Sequence, residues 1–246
     1  VYCFGKSSMC NISEVLSLQL DPYYVGPLWP DQMSLAALQA RLLLEHGRAS
    51  ERDLAQVVVR SRRSAKDNPN AQLAGDYEVE ALLAEPMIAS PLRKHDCAPI
   101  SDGAAAVVLA ADDLARSVSE RPAWITGIDH RIEAQDLGVR DLTRSPSTAL
   151  AAEKASLSRA PVEVAELYAP FSHQELILRE AMGLGEEVEV NPSGGALSAN
   201  AVMAAGLIRI GEAAQRILNG SVTRAVGHAT SGPCLQQNLV CVLEGS

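Results

Sequence analysis

In MSLAALQARLLLEHG (residues 33–47) apolar side chains recur at helical spacing, and Gly47 stands where a left-handed residue closes a helix. The spacing predicts a helix there, and Ser50 with Asp53 three residues on starts a second, short one. The opening VYCF reads as the end of a buried strand, followed by a polar turn over residues 5–11. LDPYYVGPLWPDQ (20–32) is too rich in proline and glycine for a regular element and predicts a packed loop layer. SDGAAAVVLA (101–110) reads as a turn into a strand over AAAVVLA, whose small apolar side chains let neighbouring layers approach.

Beyond SVSERPA (117–123) the pattern begins again. AWITGIDHR predicts a strand, TALAAEKASLS a helix, and VEVAELYAPFSHQELILREAMGLG a strand, an irregular turn and a helix. NPSGGALS (191–198) is a loop leading into a helix over 200–218, and VTRAVGHATSG and LQQNLVCVLEG close as two strands. This alternation predicts an α/β fold with buried sheets, in two parts: residues 1–118 and 119–246.

Composition narrows the function. A chain of 246 residues with a net charge of −9 gives a nucleic-acid partner no electrostatic support. No run of about 18 apolar residues is present, so no membrane span is expected. The five cysteines are odd in number and include no C-x-x-C pair, which argues against a zinc site or a disulfide framework and for a reduced, cytoplasmic setting. Buried, inert thiols are the expectation for each, Cys234 included. The basic run RSRRSAKDNPNAQ (60–72) is a solvated face or, in an acidic protein, a contact for a phosphate-bearing ligand.

Four segments in order, KDNPNAQLAGDYEVEALLAEPMIASPL, HDCAPISDGAAAVVLA, AELYAPFSHQEL and VNPSGGALS, resemble the thiolase superfamily, in particular its sterol-carrier or lipid-transfer branch. The resemblance implies two stacked α/β halves in a five-layer αβαβα sandwich, with residues 1–118 as the remainder of the first half and its loop domain. It also implies that the family's nucleophilic cysteine precedes Val1, in a longer protein, and that the chain pairs as a homodimer.

The departures point to the chemistry. Where thiolases continue NPSGG to Gly-His-Pro, this chain has Asn200, Ala201 and Val202, so the histidine is an alanine. Where the ELxxxF motif opens His-Asp in the lipid-transfer branch and Asn-Glu in ordinary thiolases, this chain has Tyr168 and Ala169, and the final motif is GHATSGP with His228. This pattern resembles the thiolase-like aldolases of steroid side-chain breakdown, which imply retro-aldol cleavage of a β-hydroxyacyl-CoA to propionyl-CoA and a ketone. They also imply an OB-fold partner protein associated with a hydratase, and no cofactor beyond the coenzyme A of the substrate. A degradative thiolase, with His228 replacing the lost histidine, and a non-catalytic subunit are the alternatives.

Retro-aldol chemistry needs proton transfer at the hydroxyl and α-carbon and donors at the thioester oxygen. The catalytic candidates are Tyr168, His228 and, less directly, His173, which can equally face away on the next helix. Asn200 either caps a helix or offers its amide to the thioester, and Ser193, Gly194 and Gly195 shape a loop against the substrate. Ala201 leaves room for a bulky branched acyl group. No residue set predicts a metal site.

Overall fold

The computed structural model describes residues 1–245. The chain opens with strand β1 (Tyr2–Lys6) and a short helix α1 (Ile12–Ser17), then runs as an irregular layer to α2 (Gln32–Glu45). Asp31 caps α2 by accepting from the Ser34 amide at 2.6 Å, and Gly47 follows its end at φ 64°. The capping box read from Ser50 and Asp53 is present, but its helix, α3 (Glu51–Ser64), is as long as α2. The basic run therefore starts inside a packed helix. Arg60 reaches the buried Glu175 and Arg62 is itself buried, so only Arg63 and Lys66, paired with Asp76, form a solvated face.

After α4 (Val79–Leu83) and the hairpin of β2 (Met87–Ala89) and β3 (Leu92–Arg93), strand β4 (Asp102–Ala106) pairs antiparallel with β1, Phe4 opposite Ala104. The strand starts earlier than AAAVVLA, at Asp102, which stands opposite Lys6 at the end of β1.

Helix α5 (Asp112–Val118) leads to the second set of elements: β5 (Trp124–Ile132), α6 (Pro146–Lys154), β6 (Val164–Glu166) and α7 (Ser172–Met182). Strand β7 (Glu189–Val190), the single turn α8 (Gly195–Ser198), α9 (Ala205–Leu218), β8 (Arg224–Ser231) and β9 (Gln237–Glu244) follow. One five-stranded sheet results, in the order β5-β9-β8-β6-β7, with β8, β6 and β7 parallel and the other pairings antiparallel.

Both faces of this sheet are covered, so β9 carries the continuous apolar run LVCVL and β8 is buried from Arg224 to His228. Ala165, Val226, Val240 and Val242 pack with α6 and α7, while Val164, Ala225, Cys241 and Leu243 pack with α9. Burying Ile217 of α9 alone contributes roughly 2–3 kcal/mol. Helix α9 lies so near β8 that a methyl on Gly227 would stand 2.8 Å from the Ile210 Cα. Its other side meets β4. The order is helices α6 and α7, the five-stranded sheet, α9, then the β1–β4 ribbon: four layers of the expected αβαβα sandwich. No helix among the described residues is long and apolar enough to cross a membrane.

Candidate active site

Strand β6 ends at Glu166, and the next residues emerge at the carboxyl end of the parallel strands, where open α/β sheets place their ligands. The Leu167 amide donates to the Asn191 side-chain oxygen at 2.7 Å, and Asn191 in turn donates to the buried Glu175 at 2.8 Å. Tyr168 follows. Its hydroxyl donates to the Asn200 side-chain oxygen at 3.0 Å, and both residues stand in the wall of a cavity of about 660 Å³. The rest of that wall is mainly apolar, with Met33, Leu35, Phe171, Val202 and Leu207 among its residues.

Burial pushes the Tyr168 phenol above its ordinary range, against weaker pulls from Arg209 and from the bond to Asn200. Tyr168 is accordingly a neutral hydroxyl, a donor rather than a ready base. Asn200 is no helix cap: α9 starts at Ala205, with residues 201–204 forming a turn in which the Ala204 amide donates to the Ala201 carbonyl. Instead the Asn200 amide donates to Ser101 Oγ at 2.9 Å, which fixes the side chain at the cavity. Its Nδ2 has no protein acceptor among the described residues.

The glycine loop divides differently from its sequence reading. Ser193 and Gly195 line a second, more polar cavity of about 740 Å³, and the two cavities are fed by alternate residues of one extended segment. Asn200 and Val202 face the first; Ala199 and Ala201 face the second. Ala201 therefore makes no room beside Tyr168, and its methyl presses on Gly103 of β4, where a Cβ would be only 3.0 Å away. Gly194 lies buried against α3 at φ 92°; an added Cβ would meet Ala65 at 2.6 Å. Its carbonyl accepts from Ser61.

Ser193 serves the scaffold. Its amide and hydroxyl donate to Glu166 at 2.9 and 2.7 Å, and Arg209 reaches the same carboxylate at 2.7 Å. Burial raises the Glu166 pKa while Arg209 and the two Ser193 donors oppose it. This Glu166–Arg209–Ser193 cluster was not legible in the sequence, since its members lie on β6, α9 and the loop.

Neither candidate histidine lines the cavity. His228 is fully buried in β8, its Nε2 donating to Asn238 Oδ1 at 3.0 Å, and burial pushes its pKa down to about 4. The tautomer follows from Asn238, whose Nδ2 is committed to the Leu235 carbonyl and Ser147. His173 is equally buried, bonded to Gln39, and pushed down to about 3. Both are neutral core histidines, because each strand or helix face that carries them is covered.

Three thiols, Cys3, Cys97 and Cys234, do reach the cavity wall, and Cys10 is exposed, so the expectation of uniformly buried cysteines fails. Burial raises Cys97 and Cys234 to about 12, which leaves them protonated and poor nucleophiles. No cluster of three or more potential ligands is arranged to hold a metal ion among the described residues.

No protein-family model matches the chain. An acetyl-CoA acetyltransferase of Methanothermobacter thermautotrophicus is 34% identical over 190 residues, covering 66% of this chain and 48% of the relative. Sterol carrier protein 2 of Gallus gallus is 27% identical over 75% of this chain and 39% of its own length. A 17-hydroxy-3-oxo-4-pregnene-20-carboxyl-CoA lyase of Mycobacterium tuberculosis is 29% identical over 63% of this chain and 44% of its own. Among solved structures, the Ltp2-ChsH2(DUF35) aldolase superposes with a TM-score of 0.78 at 21% identity, over 99% of this chain and 72% of that one. That likeness shows the fold. The chain spans about half the length of the curated relatives it matches.

Proposed function

The chain belongs to the thiolase superfamily, on its sterol-carrier and lipid-transfer side, and from that premise we propose that it is an acyl-CoA carbon–carbon lyase. The reaction is retro-aldol cleavage of a β-hydroxyacyl-CoA bearing a bulky, steroid-like acyl group, releasing propionyl-CoA and a ketone. The observation that carries the reading is the Tyr168–Asn200 pair at the wall of a large, mainly apolar cavity that no histidine among the described residues lines.

Retro-aldol cleavage consumes no net proton: the one leaving the hydroxyl equals the one the α-carbon takes up. As the bond breaks, its electron pair becomes a thioester enolate. The neutral Tyr168 hydroxyl supplies the proton to the α-carbon and recovers one from the substrate hydroxyl. The free Asn200 Nδ2 donates to the thioester oxygen as negative charge develops there. Thiolysis, in contrast, needs a thiolate and a proton-moving partner beside it.

Coenzyme A enters as part of the substrate. The Ltp2-ChsH2(DUF35) aldolase supports a protein partner, which we take to be an OB-fold protein, and we propose that the chain pairs as a homodimer. We assign residues 1–118 and 119–246 to the two family halves.

A degradative thiolase is the second reading, favoured by the 34% identity to an acetyltransferase. Coenzyme A product analysis separates the two. The protein, with and without an OB-fold partner, is mixed with a tertiary β-hydroxyacyl-CoA and no free coenzyme A. Release of propionyl-CoA and a ketone supports the lyase. Products that form only from a β-ketoacyl-CoA plus free coenzyme A make it a thiolase, and no product from either makes it a non-catalytic subunit.

A further inference from the structure

Ser101, at the head of the SDGAAA segment, grips Asn200 at two points across 99 residues of sequence. Its amide donates to the Asn200 carbonyl at 3.2 Å, and its hydroxyl oxygen accepts from the Asn200 amide at 2.9 Å. Both residues are buried. The hydroxyl proton is left over from this contact, and the Gln72 side-chain oxygen accepts it at 2.5 Å. Gln72 is seated in turn, because its amide and that of Leu73 both donate to the Ser198 carbonyl at 3.0 Å. Donor and acceptor match at each step, so the serine hydroxyl is turned with a lone pair toward Asn200.

This clamp acts on a segment with little secondary structure to hold it. Residues 199–201 belong to neither a helix nor a strand. Asn200 stands in the wall of the first cavity, whereas Ser101 and Gln72 stand in the wall of the second. The two residues therefore hold Asn200 from behind. Its side-chain oxygen takes the Tyr168 hydroxyl, and the aim of its free Nδ2 depends on the backbone that carries it. Misplacing a donor by about 1 Å can cost on the order of 10²-fold in rate.

We propose that Ser101, itself held by Gln72, is a positioning residue that aims the Asn200 amide at the developing enolate. The inference rests on the lyase reading above.

The test is a double-mutant cycle on propionyl-CoA release from a tertiary β-hydroxyacyl-CoA, with kcat and KM measured separately. Ser101→Ala is expected to lower kcat by roughly 10- to 100-fold and to leave KM nearly unchanged, since the enolate charge exists only past the ground state. Ser101→Thr, which keeps the hydroxyl, is expected to restore most of the rate. In an Asn200→Ala background, Ser101→Ala is expected to cost almost nothing more, because the group it aims is gone. A parental kcat in folded Ser101→Ala overturns the proposal, and so does a loss that persists undiminished without Asn200. If Ser101→Ala does not fold, Gln72→Leu carries the same cycle from an exposed position, with Gln72→Glu as the variant that keeps an acceptor. A parental kcat in Gln72→Leu then overturns it. Failure of the lyase reading is distinct: the parent protein itself releases no propionyl-CoA, and the proposal falls with it.

Discussion

The Tyr168 hydroxyl and the Asn200 side-chain oxygen meet at 3.0 Å across 32 residues of sequence, at the mouth of the glycine loop. One belongs to the exit of β6 and the other to the extended segment before α9. The contact places a neutral donor and an uncommitted amide nitrogen on one wall of an apolar cavity, the minimal equipment for enolate chemistry.

Tyr168→Phe is expected to lower propionyl-CoA release by about 10²–10⁴-fold, the usual contribution of a positioned proton-transfer group. Stability should change little, because the ring keeps its packing and a single hydrogen bond contributes about 1 kcal/mol. Product analysis beside a thermal melt separates the two effects. Near-normal turnover by a folded Tyr168→Phe protein would falsify its catalytic role.

His228 gives a pH signature in stability, not in catalysis. Its folded pKa, about 4, lies below the unfolded value of about 6.5. Between these values the unfolded chain binds the extra proton, so stability falls as pH drops from about 6.5 to about 4 and is flat outside that window. The contribution of this group is on the order of 3 kcal/mol. In His228→Gln this part of the acid destabilisation should vanish, as read from urea midpoints at pH 4.5 and 7.5. A catalytic His228 would instead show a turnover inflection near its pKa and a large loss of rate at pH 7.5 in the variant.

Breaking the buried ion pair behind the loop should cost stability first. Arg209→Met leaves Glu166 buried beside only the Ser193 donors, a change expected to destabilise by about 3–5 kcal/mol. The double variant with Glu166→Gln should recover part of that loss, since no bare charge remains. Chemical denaturation of the two proteins decides it; identical losses would mean the pair is not coupled.

Restoring the family histidine by Ala201→His is expected to destabilise the protein and not to install thiolase activity. The Ala201 methyl already lies against Gly103 of the β1–β4 ribbon, and the side chain faces away from Tyr168. Overpacking of this kind costs about 1–3 kcal/mol. A variant that melts like the parent and gains coenzyme A-dependent cleavage would overturn this placement of residue 201.

Periodicity and turn chemistry are local properties, and they located most of the elements. Helix α2 with its Gly47, the Ser50 capping box and strands β8 and β9 stand where apolar spacing and punctuation put them. The misplacements share a cause: they depend on partners distant in sequence. Strand β4 starts at Asp102 because β1 sets its register, and α9 starts at Ala205 because Ala201 is drawn against the ribbon. The motif residues told the family apart, and they put Tyr168 and Asn200 in the frame. Only the tertiary structure joined those two, set Ser193 to holding Glu166, and closed both histidines into the core. Residue type fixes what a side chain can donate, accept or ionise; burial and the choice of partner, which arise only when distant segments pack, decide which of these it does.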